Sequence, residues 1–484
     1  MDQHLGEYIG IEADWSLDGD HPHQIEVVSP HTEQPIARVA ASLPADVDAA
    51  VAAARAAVDR GPWPRLPPDE RVAALRRLAD VYSQRREQMA QLISAEIGAP
   101  ISFAKRAQVG LPTMMMSAFC DVAETYPWHE SRPGFFGADV RIRREPVGVV
   151  AAIVPWNMPQ FLIVTKLVPA LLAGCAVVLK PAPESPLDAL LLAEMIEQIG
   201  LPDGVVAVVP GDAAVGAHLA SHPGVDKVSF TGSSSAGRAV ATACAANLTK
   251  VSLELGGKSA AIVLDDADPE TVAAGVRSAS LNNSGQICNA LTRIIVPAAR
   301  EEEFVDALAA RMSALKVGDP ADPATELGPL VSRRQQQRVR YYIELGRREG
   351  ARLVVGGTDL PTGVDTGWYV QPTLFAAADN SMRIAREEIF GPVLTVIPYE
   401  DERDAIAIAN DSDYGLAGSV WTADTDRGIR IAEQVRTGTF GVNQGYTMDP
   451  FAPFGGVKDS GYGRELGREG LDGYVETKSI AVAG

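Results

Sequence analysis

Cys288 closes a small polar stretch in LNNSGQICNALTR (281–293). A thiol is a strong nucleophile only as thiolate, so it needs a base or a favourable field beside it. The usual base is an imidazole, yet all seven histidines lie at or before His222. If Cys288 does chemistry, its support comes from elsewhere in the fold. One source is Glu254 in KVSLELGGKS (250–259), a carboxylate that ends an apolar strand and meets two glycines. Burial there would raise its pKa toward neutrality and make a general base. Read alone, it is more simply a strand-end residue paired with a surface lysine. Asn157 in VPWNMP (154–159) is braced by Trp156 and two prolines. Its amide is either a rigid donor for an oxyanion or an ordinary turn asparagine. In FTGSSSAGR (230–238) a strand ends at Gly232 and Ser233 leads into the next helix. That is an anion site at a helix N-terminus, although it is not GxGxxG and a plain glycine turn fits as well.

Residues so far apart meet only on a rigid scaffold, and the pattern from Val147 onward predicts one. The β-branched runs VGVVAAIVP, AVVLKP, VVAVVPG, KVSFTGS and KVSLELGG alternate with candidate helices near 162–173, 186–199, 213–220 and 235–247. Such alternation predicts a parallel sheet covered by helices on both faces. After residue 258 the runs SAAIVLDD, TRIIVP, VLTVIPY, GSVWT and GTFGVN predict a second α/β domain, with Cys288 near its start. Amphipathic segments at 45–59 and 68–97 predict helices. ADVRIRREP (138–146) and the tail YVETKSIAV alternate polar and apolar residues as exposed strands do. They could pair between subunits, or form a surface hairpin and a frayed tail.

A chain of 484 residues, 46% hydrophobic and 22% charged, has the length and balance of a soluble globular protein of two or three domains. Its net charge of −19 argues against nucleic acid, whose phosphates need basic partners. The four cysteines show no CxxC or metal-ligand spacing, so no metal is expected and they read as reduced thiols in a cytoplasmic protein. The N-terminus lacks the basic-then-apolar layout of an export leader. The apolar run 147–179 is long enough to suggest a membrane span. Pro155, Asn157, Pro159, Lys166 and Pro169 interrupt it, and it reads as strand, loop, helix and strand.

Taken in order, PWN (155–157), LKPA (179–182), FTGS (230–233), LELGGK (253–258), GQIC (285–288), EEIFGPV (387–393) and PFGG (453–456) form a set. With them the sequence resembles the NAD(P)-dependent aldehyde dehydrogenase superfamily over essentially its whole length. The 34-residue step from Glu254 to Cys288 matches that family's spacing of base and nucleophile. The resemblance implies two doubly wound α/β domains and a small β oligomerisation flap. The Rossmann-like cofactor domain would take 1–127 and 147–257, the catalytic domain 258–445, and the flap 128–146 and 468–484, in a homodimer or homotetramer.

By the same resemblance Cys288 would attack the aldehyde carbon and Asn157 would hold the oxyanion. Glu254 would activate the water that hydrolyses the thioester. The cofactor, NAD with NADP possible, would meet Ile153, Trp156, Lys180, Pro183, Gly232, Ser233, Glu388 and Phe390. Pro183 departs from the glutamate that NAD-preferring members often carry at this position; Glu184 follows it and could turn inward as a substitute. The substrate pocket would be built from Met158, Phe161, Leu162, Thr165, Ile287, Asn289, Met448 and Phe454. These are mainly apolar and fit an uncharged aldehyde rather than a semialdehyde acid. The alternatives are a CoA-acylating relative, which tends to lack the glutamate, and a non-catalytic binding relative.

Overall fold

The computed structural model describes residues 23–446 and 448–482, so the N-terminal stretch considered for a leader lies outside the described residues. The described chain opens with an antiparallel hairpin, β1 Gln24–Val28 and β2 Pro35–Ala40. The sequence pattern does not predict it, because among its apolar positions only Val27, Ala37 and Val39 are buried. Helix Pro44–Asp59 follows as expected, whereas the segment 68–97 divides into helices Pro68–Gln84 and Arg86–Ile97. Arg85 at the junction has φ −103° and ψ 14°. The break lets Leu75, Leu78 and Tyr82 on one side, and Met89, Leu92 and Ile93 on the other, all reach full burial.

The remaining strands fall into chain-order groups. β3 His129–Arg132 and β4 Val140–Pro146 come first, then β5 Val149–Ile153, β6 Ala176–Lys180, β7 Val206–Val208, β8 Lys227–Thr231 and β9 Lys250–Glu254. Next are β10 Ser259–Val263, β11 Leu291–Pro297, β12 Arg352–Val355, β13 Thr373–Ala376 and β14 Val393–Tyr399. β15 Tyr414–Gly415, β16 Ala417–Trp421, β17 Thr439–Val442, β18 Val457–Lys458, β19 Gly461–Tyr462 and β20 Val475–Ala481 complete the set.

The first large sheet has the order β19-β9-β8-β5-β6-β7, parallel except for β19. The chain moves outward from β5 in one direction through β6 and β7, then returns to build β8 and β9 on the other side. Loops leaving the carboxyl ends of β5 and β8 therefore diverge and open a crevice, the usual ligand position in such sheets. Every residue of helix Pro159–Ala173 is buried, so the apolar run 147–179 folds as β5, loop, helix and β6. Among the described residues no helix is long and apolar enough to cross a membrane.

The second large sheet has the order β12-β13-β14-β11-β10-β16-β17, antiparallel only between β12 and β13. Those two four-residue strands are absent from the sequence expectation. In the third sheet β4 lies in the middle of β20-β4-β3 and is hydrogen-bonded to both neighbours within the chain. The outer strands of this flap are β3 and β20. The architecture is two α/β units built on mainly parallel sheets plus a three-stranded flap.

Candidate active site

The carboxyl ends of the parallel strands carry the chemistry-bearing side chains to one rim. Lys180 ends β6 and Glu254 ends β9, Gly232 follows β8, and Asn157 follows β5. The loop bearing Cys288 docks on this rim through side-chain to backbone bonds. Asn157 Nδ2 donates to the carbonyl of Gln286 at 2.9 Å, and Asn283 Nδ2 donates to the carbonyl of Asn157 at 2.9 Å. Gln108 Nε2 donates to that same Asn157 carbonyl at 2.9 Å. Asn157 is buried, and its amide nitrogen makes one bond among the described residues.

The loop itself is strained. Asn283, Ser284 and Gly285 take φ values of 51°, 56° and 74° in succession, a left-handed run that costs roughly 1–3 kcal/mol for each residue with a side chain. Tertiary bonds hold it: Ser284 Oγ donates to the Gly328 carbonyl at 2.7 Å, and Gln286 Oε1 accepts from the Val331 N–H at 3.0 Å. A Cβ at position 285 would lie 2.3 Å from the Gly391 carbonyl oxygen, and one at position 257 would lie 2.4 Å from that of Cys288. Glycine at both positions lets the two backbones close around the cysteine.

Burial of the Cys288 sulfur, then the carboxylates of Glu254 and Glu388, pushes the thiol up to about 12. Cys288 as a residue is partly exposed. Glu254 is 5% exposed and its Oε2 has no hydrogen-bond partner. Burial and the nearby carboxylate of Glu465 raise its pKa well above the usual range, while Lys166 and Arg464 work against the shift. Behind it sits a charged cluster that sequence patterns do not single out. The Lys166 ammonium pairs with Glu465 and donates to Thr231 Oγ1 at 2.7 Å; Thr165 Oγ1 donates to Glu465 Oε2 at 3.0 Å. A lone lysine inside the apolar helix was its one sequence signal.

The other side of the rim suits a nucleotide. Lys180 is nine-tenths buried, and burial pushes its ammonium down to about 8 against the opposing pull of Glu184 and Asp212. Ser233 caps the 14-residue helix Ser234–Asn247 by accepting the Ala236 N–H. At Gly232 a Cβ would lie 2.6 Å from the Phe230 ring, so the backbone there stays bare. Glu388 Oε1 accepts the Gly257 N–H at 3.0 Å. Trp156 and Phe390 meet edge to face with centroids 5.5 Å apart, and Gln335 Nε2 anchors the Phe390 carbonyl at 2.7 Å. Ile153 ends β5 close by and is buried. These donors and bare backbone fit a dinucleotide.

Among the expected pocket residues, Met158, Phe161, Leu162, Thr165 and Phe454 are buried, while Ile287 and Met448 are partly buried against the same core. Asn289, next to the nucleophile, is half-buried. The Thr165 hydroxyl is engaged with Glu465. Tyr446, which the sequence reading omits, lies 6.0 Å from the Phe454 ring. The Glu184 carboxylate bonds Arg334 at 3.2 Å, an arginine brought from the start of helix Arg333–Glu349, and also acts on the Lys180 ammonium.

The aldehyde dehydrogenase family model matches residues 16–480. Geranial dehydrogenase of Castellaniella defragrans is 49% identical over 95% of each chain. A Mycobacterium tuberculosis aldehyde dehydrogenase complexed with NAD+ superposes with a TM-score of 0.94 at 49% identity, covering 96% of this chain and 95% of that one. A mutant aldehyde dehydrogenase C from Pseudomonas syringae, complexed with NAD+ and octanal, gives 0.92 at 44% identity over 95% and 94%. The chain belongs to the aldehyde dehydrogenase family.

Proposed function

We propose that this chain oxidises an uncharged, largely apolar aldehyde to the carboxylic acid with NAD, through a covalent adduct on Cys288. The observation that carries the reading is the buried Glu254 carboxylate, with an unpartnered oxygen, acting electrostatically on a cysteine held in a strained loop. The Cys288 sulfur attacks the carbonyl carbon and its proton leaves to a base. The Asn157 amide and the Cys288 N–H hold the oxygen that becomes negative. NAD held by Trp156, Lys180, Gly232, Ser233, Glu388 and Phe390 would supply the two-electron oxidant that accepts hydride from that carbon, which would leave a thioester on Cys288. Glu254 then accepts a proton from the water that adds to the thioester, and the acid departs as the sulfur is released. On this reading 1–127 and 147–257 bind the dinucleotide, 258–445 present the nucleophile, and 128–146 with 468–484 join copies of the chain.

The mainly apolar pocket residues support an apolar substrate, as do relatives that act on geranial or hold octanal. The test is a panel of aldehydes assayed with NAD and NADP separately. We expect medium-chain and terpenoid aldehydes to exceed succinic semialdehyde in kcat/KM by roughly tenfold or more, the scale of an unpaired carboxylate entering an apolar pocket. A preference for the semialdehyde overturns the substrate class. A requirement for CoA in steady turnover overturns hydrolysis.

Pro183 can neither accept a ribose hydroxyl nor repel a 2′-phosphate, and Glu184 is held by Arg334. Discrimination between NAD and NADP should therefore be modest. Pro183→Glu is expected to raise the NAD/NADP ratio of kcat/KM by about five- to thirtyfold, the size of one charge contact at a partly exposed site. An unchanged ratio would show that position 183 does not face the ribose.

A further inference from the structure

The carbonyl oxygen of Asn157 lies outside both helix and strand: β5 ends at Ile153, and helix Pro159–Ala173 begins after Met158. A buried carbonyl in that position needs donors from elsewhere in the chain. It has two, the side-chain amides of Asn283 and Gln108, each at 2.9 Å. Gln108 ends the π-helical turn Ala104–Gln108, in which the Val109 N–H reaches back five residues to the Ala104 carbonyl at 3.0 Å. Such turns are rare and occur mostly at functional sites. Gln108 is 0% exposed, and its Oε1 has no hydrogen-bond partner. A bare buried acceptor is costly. Asn283 alone would satisfy the Asn157 oxygen, and a methionine at 108 would fill a similar volume with no acceptor left bare. For stability alone the glutamine is a poor choice.

We propose that Gln108 is a positioning residue for the first chemical step: by gripping the Asn157 carbonyl it fixes where the Asn157 amide points, and so holds that amide at the oxygen that becomes negative. The inference rests on the reading of Asn157 as the oxyanion donor. Two donors occupy both lone pairs of the carbonyl, so the Asn157 peptide cannot turn without breaking a buried bond. The two grips come from different places. Asn283 donates to the carbonyl and Gln286 accepts from the Asn157 amide at 2.9 Å, and both belong to the loop that carries Cys288. Gln108 instead belongs to the segment that leads into helix Gly110–Thr125. Without it, Asn157 would be tied by these side-chain bonds only to the strained loop that bears the nucleophile. A donor that must meet a developing charge loses much of its effect when displaced by about 1 Å, so this second anchor bears on rate.

Rapid mixing with NAD and the best aldehyde of the panel gives the rate of the first burst of reduced cofactor for wild type, Gln108→Met, Gln108→Glu, Asn157→Ala and the Gln108→Met/Asn157→Ala double variant. Gln108→Met should slow the burst about tenfold, while the Kd for NAD and the aldehyde concentration that gives half the maximal burst rate stay within about twofold, as for an interaction made only in the transition state. Asn157→Ala should slow it by about a hundredfold or more, the usual cost of a lost oxyanion donor. Adding Gln108→Met to Asn157→Ala should cost less than about twofold, because no amide is left to aim. Gln108→Glu, whose neutral carboxyl can donate to the same carbonyl, should stay within about threefold of wild type at about pH 6. A wild-type burst rate in Gln108→Met, losses that multiply in the double variant, NAD binding weakened as much as the burst, or a glutamate variant as slow as the methionine one at that pH each overturns the proposal. If Asn157→Ala itself bursts at the wild-type rate, the reading of Asn157 as the oxyanion donor is what fails. Gln108→Asn, whose shorter amide stops short of the carbonyl, carries the same expectations should the methionine variant not fold.

Discussion

Cys288→Ala removes aldehyde oxidation by more than about a thousandfold, on the order of 4 kcal/mol of barrier, while the Kd for NAD stays within about twofold of wild type. The asymmetry follows from which atoms of Cys288 do what. Its carbonyl oxygen is the atom that a side chain at position 257 would strike, a backbone contact that alanine keeps, while the sulfur is faced by the backbone N–H groups of Asn289 and Cys288. Alanine therefore preserves the turn at 283–285, held by Asn157, Gly328 and Val331. No other thiol can substitute. Cys120, Cys175 and Cys244 are all buried, whereas Cys288 is partly exposed and so open to an incoming substrate. Turnover with the best aldehyde, followed at the absorbance of reduced cofactor, checks the loss. Activity above one-hundredth of wild type would move the nucleophile elsewhere.

The candidate residues that the sequence singles out are those that stand at an element boundary. Asn157 between two prolines, Glu254 at a strand end and Cys288 after a small-residue loop each stand at a boundary that periodicity can locate. The parallel strands were legible for the same reason: β5, β6, β8, β10 and β11 are continuous buried runs. What stayed hidden depends on contacts far apart in the chain. Glu465 reaches Lys166 across 299 residues and Arg334 reaches Glu184 across 150. Neither pairing leaves a local mark, so the sequence places Lys166 as an interruption in an apolar run and Glu184 as an unattached acid. The strands β12 and β13 were missed although the equally short β17 was found. The flap marks a third limit: alternation identifies 138–146 as a strand but does not say that β3 and β20 flank it.

Glu254→Gln is expected to leave the first hydride transfer nearly intact and to slow thioester hydrolysis by roughly a hundredfold or more, the usual contribution of a general base. Glutamine matches the carboxylate in shape but cannot accept the proton of the attacking water. The fold should tolerate it, because Glu254 is buried with one oxygen unpartnered, and a neutral amide there relieves a desolvation penalty. In rapid mixing the variant should give a burst of reduced cofactor close to the enzyme concentration, followed by slow turnover. The pH dependence carries a second sign. Burial and Glu465 raise the Glu254 pKa well above the carboxylate range, and only the ionised form is a base. Wild-type deacylation should therefore rise with pH through that raised pKa, and the glutamine variant should lose the limb. Loss of the burst together with steady turnover would instead make Glu254 the group that takes the Cys288 proton. That outcome is physically open, since the same two carboxylates that hold the thiol up near 12 include Glu254 itself. A retained burst with the pH limb unchanged would assign water activation to another residue, and Glu465, already paired with Lys166 behind Glu254, would be the next to replace.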